Sequence, residues 1–106
     1  MATRHPIAYE VLPRDMDRGT HWVTLNLKNV GGEPLSGLSV RLHSMDDYSI
    51  AVAGEGNYVA ALEPGDEKEI PYRMSADLTG RVYASVEGWQ GEERFEWESP
   101  GILIRV

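Results

Sequence analysis

From His21 to Lys28 the chain reads His-Trp-Val-Thr-Leu-Asn-Leu-Lys, with Val23, Leu25 and Leu27 on one parity and Trp22, Thr24, Asn26 and Lys28 on the other. Period two of this kind is what a half-buried β-strand requires, because successive side chains leave a pleated backbone on opposite faces. The alternation returns along most of the chain. Leu38, Val40 and Leu42 alternate with Ser39, Arg41 and His43, and Ile70, Tyr72 and Met74 with Pro71 and Arg73. Val82, Ala84 and Val86 alternate with Tyr83, Ser85 and Glu87, and Phe95 and Trp97 with Arg94, Glu96 and Glu98. Ile7, Tyr9 and Val11 repeat the pattern near the start, and Ile102, Ile104 and Val106 near the finish. Segments 48–52 and 58–62 are shorter and less regular strand candidates. No stretch holds helical periodicity over three turns; residues 12–18 are polar and contain Pro13.

Turn residues separate these runs. Asn29-Val30-Gly31-Gly32-Glu33-Pro34, Gly54-Glu55-Gly56-Asn57 and Glu63-Pro64-Gly65-Asp66 are three such clusters. Gly adopts positive φ without penalty, Pro presets φ near −65°, and Asn or Asp side chains close local turns. Trp89-Gln90-Gly91 reads as a tight hairpin between the runs 81–88 and 92–98. Short strands at roughly 8–12-residue spacing predict an all-β fold: an immunoglobulin-like, two-sheet antiparallel β-sandwich of about seven to nine strands. The expected core is Val23, Leu25, Leu27, Leu38, Val40, Leu42, Ile70, Tyr72, Val82, Ala84, Val86, Phe95 and Trp97.

A length of 106 residues fits one domain, spanning 1–106. There is no Cys, which removes disulfides and thiolate metal sites. The net charge of −7 opposes a nucleic-acid partner, whose phosphates require a basic stripe. No window has the roughly 18 apolar residues of a membrane span, so no membrane insertion is expected. The segment MATRHPIAYEVLPRD has no apolar signal core, and nothing in it directs export. The expected location is therefore cytoplasmic for a chain complete at 106 residues, and extracellular or cell-surface for a piece of an exported protein.

The succession Leu25-Asn26-Leu27-Lys28-Asn29-Val30-Gly31-Gly32, then Leu38-Ser39-Val40-Arg41-Leu42, then Leu62-Glu63-Pro64-Gly65-Asp66, Ile70-Pro71-Tyr72-Arg73-Met74 and Gly80 before Val82-Tyr83-Ala84-Ser85-Val86 resembles the CARDB-type modules of bacteria and archaea and their immunoglobulin-like relatives. The match rests on an Asn-x-Gly turn, a Leu-x-Pro-Gly turn and a Gly-led strand, over roughly residues 20–90. The resemblance implies a non-catalytic accessory module that serves protein interaction, adhesion or spacing within a larger surface or secreted protein. It brings no catalytic residues.

Candidate chemistry is sparse. Asp15, Asp17, Asp46 and Asp47 include Asp15-x-Asp17-x-Gly19, a fragment of a calcium loop that lacks the later ligands; loop solvation and turn capping account for them equally well. His5, His21 and His43 share no pattern that brings them together on a metal. Glu92, Glu93, Glu96 and Glu98 crowd one hairpin arm without an opposing carboxylate set, which suits a solvated strand better than acid–base chemistry. Gly54-Glu55-Gly56-Asn57-Tyr58-Val59 starts like a nucleotide loop but lacks the third Gly and a following helix. No catalytic, metal or cofactor site is therefore assigned, and no cofactor is expected. Trp22, Tyr83 and Trp89 fall opposite the core parity of their strands and form the candidate binding surface, for a protein partner, a neighbouring domain or, as an alternative, a carbohydrate with or without calcium. Aromatic pairs that stabilise an outer sheet face would look the same. The terminal strands, 7–11 and 102–106, are the expected free edges and offer a route to a weak homodimer.

Overall fold

Alternation sorts side chains in the computed structural model as it does in the sequence. The structure describes residues 6–53 and 57–106. Among them are nine strands and no helix: β1 (Ile7–Leu12), β2 (Gly19–Asn29), β3 (Leu35–Ser44), β4 (Ile50–Ala53), β5 (Asn57–Leu62), β6 (Glu67–Ala76), β7 (Gly80–Gln90), β8 (Glu93–Glu98) and β9 (Ile102–Ile104). Sheet one has the order β1-β2-β6-β4; sheet two has the order β5-β3-β7-β8, with β9 beside the other half of β7. All these pairings are antiparallel. This is the immunoglobulin-like two-sheet sandwich that the strand spacing predicts.

Val23, Leu25 and Leu27 of β2 meet Leu38, Val40 and Leu42 of β3 in one apolar cluster, together with Ile70, Tyr72, Val82, Ala84, Val86 and Trp97. Phe95 departs from expectation: it is only partly buried and packs against the edge of that cluster. The core also takes in Ile7, Val11, Leu35, Ile50, Val59, Leu62, Met74, Ile102 and Ile104. At the β1–β8 side the Tyr9 and Trp97 rings close the gap between sheets, with centroids 5.1 Å apart. Deeper in, the Tyr72 hydroxyl of sheet one donates to the Val40 carbonyl of sheet two at 3.1 Å.

Two irregularities shape sheet two. The β3–β7 register slips between Ser36 and Ser39. Gly88 lies opposite that bulge, where an added Cβ would stand 2.8 Å from the Ser36 carbonyl and 2.9 Å from the Gly37 carbonyl, so only Gly fits. Between β8 and β9 the buried Ser99 replaces a ladder residue: its N–H reaches the Ala84 carbonyl and its Oγ accepts from the Ala84 N–H, both at 2.8 Å.

Two local expectations are corrected. Trp89 and Gln90 belong to β7, paired with Arg94 and Glu93, so only Gly91 and Glu92 make the hairpin turn. Gly91 sits there at φ 61°. The 102–106 edge is not free along its length. Past a cis Leu12–Pro13 bond the chain crosses to sheet two, and Arg14 and Met16 bond to both sides of Arg105, at 2.7 and 2.9 Å. Segment 7–11 does form an outer edge, in β1.

Candidate functional site

Strand alternation says whether a side chain points in or out; topology says which sheet it points out from. Trp22 projects from β2 of sheet one, 64 % exposed, with the Arg73 guanidinium of β6 5.5 Å from its ring centroid. Tyr83 and Trp89 project from β7 of sheet two. The three aromatics therefore stand on opposite outer faces, and no single platform holds them all. Tyr83 and Trp89 share a face but lie six residues apart along β7, roughly 20 Å at the rise of an extended strand.

Each belongs to a different local group. Tyr83 stacks on His43 of β3, directly opposite in register, at 4.6 Å between centroids and 18° between planes. His43 Nε2 also lies 2.7 Å from Ser85 Oγ. This cross-strand stack is how a sheet stabilises its own surface. Trp89 sits near the β3 bulge, where Gly37 leaves room: a Cβ there would lie 3.5 Å from the Trp89 ring and 3.9 Å from the Tyr58 hydroxyl. Trp89, 45 % exposed, and Tyr58, 70 % exposed, thus flank Gly37 on the outer face of sheet two. Sequence reasoning passed over Tyr58; its signal was an aromatic on the opposite parity to Val59 in a short apolar strand.

The same face carries Ser39, Arg41, His43, Ser85, Glu87, Glu96 and Glu98 along one open depression. Arg94 bridges Glu87 and Glu96 at 3.3 and 3.8 Å. These ions are half exposed or more, and such pairs contribute little. Glu92 occupies the hairpin turn and Glu93 the start of β8, so the four glutamates do not converge.

The acidic and imidazole candidates are engaged in turns or strand surfaces. Asp46 accepts from the Tyr48 N–H through Oδ1 at 3.0 Å and from the Ser49 hydroxyl through Oδ2 at 2.8 Å, an Asx turn. Ser44 Oγ donates to the Ile50 carbonyl in the same loop. Asp15 makes a parallel bridge with Arg105, which sets it apart from Asp46 and Asp47 in their loop. His21 Nε2 contacts the Asp17 carbonyl at 2.7 Å. Among the described residues, no three His, Asp or Glu side chains group closely enough to hold a metal ion. His5 and the Gly54-Glu55-Gly56 part of the glycine-rich segment lie outside the described residues, while Asn57, Tyr58 and Val59 are in β5.

A buried polar side chain ties two of the turns together. Asn29, fully buried at the end of β2, donates from Nδ2 to the carbonyls of Glu33 and Leu62, each at 2.8 Å, and accepts from the Gly31 N–H at 2.9 Å. Its backbone bonds to Asp66 and Gly65 at 3.0 and 2.8 Å. One residue thus joins the Asn-x-Gly turn to the Leu-x-Pro-Gly turn. Burial pushes the pKa of the Tyr72 hydroxyl above the usual 10.0, partly offset by a hydrogen bond with Asn57 and the positive charge of Arg41. No protein-family model matches the chain. No curated protein matches it.

Proposed function

We propose that the chain is a non-catalytic, immunoglobulin-like accessory module of the CARDB type, working by protein contact and by spacing its neighbours. The observation that supports this reading is the placement of Pro6 and Val106, the first and last described residues, at opposite ends of the sandwich. Pro6 accepts from Val30 at 2.8 Å at the end of the sandwich that holds Asn29. Val106 donates to Thr79 Oγ1 at 3.0 Å at the opposite end, where β6 turns into β7. A module entered at one end and left at the other can stand in series with its neighbours. The exposed Tyr58–Trp89 pair beside Gly37 supports a contact surface on sheet two, because aromatic side chains offer large area at low entropic cost.

A photo-cross-linking residue placed at Tyr58, and in parallel at Trp22, tests the reading in the organism that makes the protein. The expected result is a discrete protein adduct from Tyr58 that Trp89→Ser weakens. Absence of any adduct from either face would remove the protein-contact reading. A second reading, a carbohydrate-binding module, rests on the exposed Trp22 and Trp89 rings. Saturable fluorescence quenching by a soluble polysaccharide, with or without calcium, would favour it instead.

A further inference from the structure

Among the described residues, the outer edges of β1, β4, β5 and β8 have no strand beside them. An edge exposes unpaired N–H and C=O groups and invites another strand, so folded proteins guard their edges with charge, Pro or shortness. Three of these edges are guarded. Strand β8, Glu-Arg-Phe-Glu-Trp-Glu, brings three carboxylates and one guanidinium to its edge. Strand β4 has only four residues. Strand β1 carries the exposed Glu10 within its length. Strand β5, Asn-Tyr-Val-Ala-Ala-Leu, is six residues long with no charge and no Pro.

We propose that β5 pairs edge to edge with β5 of a second copy, antiparallel about a two-fold axis through Val59, so that the two copies of sheet two become continuous. This goes beyond the reading above, which concerns neighbours in series and the outer face. Three observations select a second copy as the occupant. First, the paired residues 57–61 carry no charge, so of the six-residue edges β5 is the one at which two copies of a chain of net charge −7 meet without charged residues inside the paired strands themselves. Second, the axis at Val59 opposes side chains that share a face. The buried Val59 meets Val59 of the second copy, and the outward Tyr58 meets Ala60 of the second copy. Third, that outer pair sets a large ring against a methyl group, so both rings fit. Axes one residue away lack this match: centred on Ala60, the operation would face the outward Tyr58 against the inward Leu62.

The test exploits the absence of Cys, which makes an introduced thiol the sole one. In sedimentation equilibrium the wild-type mass should rise with concentration from the 11.8 kDa monomer toward twice that value. A six-residue edge predicts a dissociation constant of about 10–100 µM. Ala60→Glu should raise it at least about tenfold, whereas Ala8→Glu on the β1 edge should leave it unchanged. A mixture of Tyr58→Cys and Ala60→Cys proteins should form the mixed disulfide at least about fivefold faster than either forms its own, because directly opposed Cβ atoms lie within disulfide reach and diagonal ones sit at about 7–8 Å. A wild-type protein that stays monomeric to about 1 mM overturns the proposal. So does a mixed disulfide that forms no faster than the self-disulfides, or an Ala8→Glu variant that dissociates as readily as Ala60→Glu.

Discussion

The two ends of the sandwich are closed in opposite ways. At one end the buried Asn29 makes three side-chain hydrogen bonds, one of them to Leu62, 33 residues along the chain. It thereby fixes the β2–β3 turn against the β5–β6 turn. At the other end the carboxylate of the exposed Asp46 bonds to Tyr48 and Ser49, within three residues of itself. Both residues satisfy backbone or hydroxyl donors, yet only the first couples elements distant in sequence. Removing Asn29 takes the donor from the buried Leu62 carbonyl and the part-buried Glu33 carbonyl, whereas at Asp46 water can substitute. A short Asn or Asp side chain in a turn can thus be a tertiary lock or a local cap, and here the buried one is the lock.

The largest effect that sharpens this contrast is expected from Asn29→Ala, which strands the Leu62 and Glu33 carbonyls. It should cost about 3 kcal/mol in urea unfolding and lower Tm by more than about 10 °C. Asn29→Asp should cost at least as much, because a carboxylate would face those same two carbonyls. Next comes Gly65→Ala at the locked end. Gly65 holds φ at 88° in the Pro-Gly turn, with nothing within 4 Å of an added Cβ, so the penalty is conformational alone, about 1–2 kcal/mol by the same measurement. A larger loss would mean that the Asn29 bond to the Gly65 N–H had also broken. At the open end Asp46→Ala should cost about 1 kcal/mol, and Asp46→Asn, which keeps one acceptor for the turn, less than about 0.5 kcal/mol. An Asp46→Ala loss equal to that of Asn29→Ala would break the comparison.

A further effect belongs to neither end and is read in alkali. Burial raises the Tyr72 pKa above 10.0, so the folded state disfavours the phenolate. Its contribution is complete below pH 10 and is lost as pH climbs from there through the raised folded value. Wild type should therefore lose urea stability above pH 10 more steeply than Tyr72→Phe. At neutral pH the Phe variant should be weaker by about 1 kcal/mol for the lost bond to Val40.

Much of the fold was legible because alternation is a local property. Val23, Leu25 and Leu27 declare their face without reference to the rest of the chain, and all three are buried. Leu35 was missed because the β3 bulge breaks the parity that Leu38, Val40 and Leu42 keep. Phe95 shares parity with Trp97 but lies nearer the hairpin turn, beyond the fully covered core. Placing Trp22 apart from Tyr83 and Trp89 was beyond the sequence, since parity says out and never from which sheet. The Asn29 lock was half legible. The Asn-x-Gly turn announces itself, but a donor reaching Leu62 depends on two turns meeting in space. The edge at β5 was hidden for a similar reason, because an edge is defined by the strand order and not by the strand.

Amide hydrogen exchange of the native protein probes the lock most directly. Gly31 and Gly65 sit in surface turns, with N–H groups bound to Asn29 Oδ1 at 2.9 Å and to the Asn29 carbonyl at 2.8 Å; Tyr48 sits in the opposite turn, bound to Asp46 at 3.0 Å. If Asn29 closes its end as a tertiary unit, Gly31 and Gly65 exchange only on opening events close to global unfolding, at least about a hundredfold slower than Tyr48. Equal protection at the three amides, or faster exchange at Gly31 and Gly65, would contradict it.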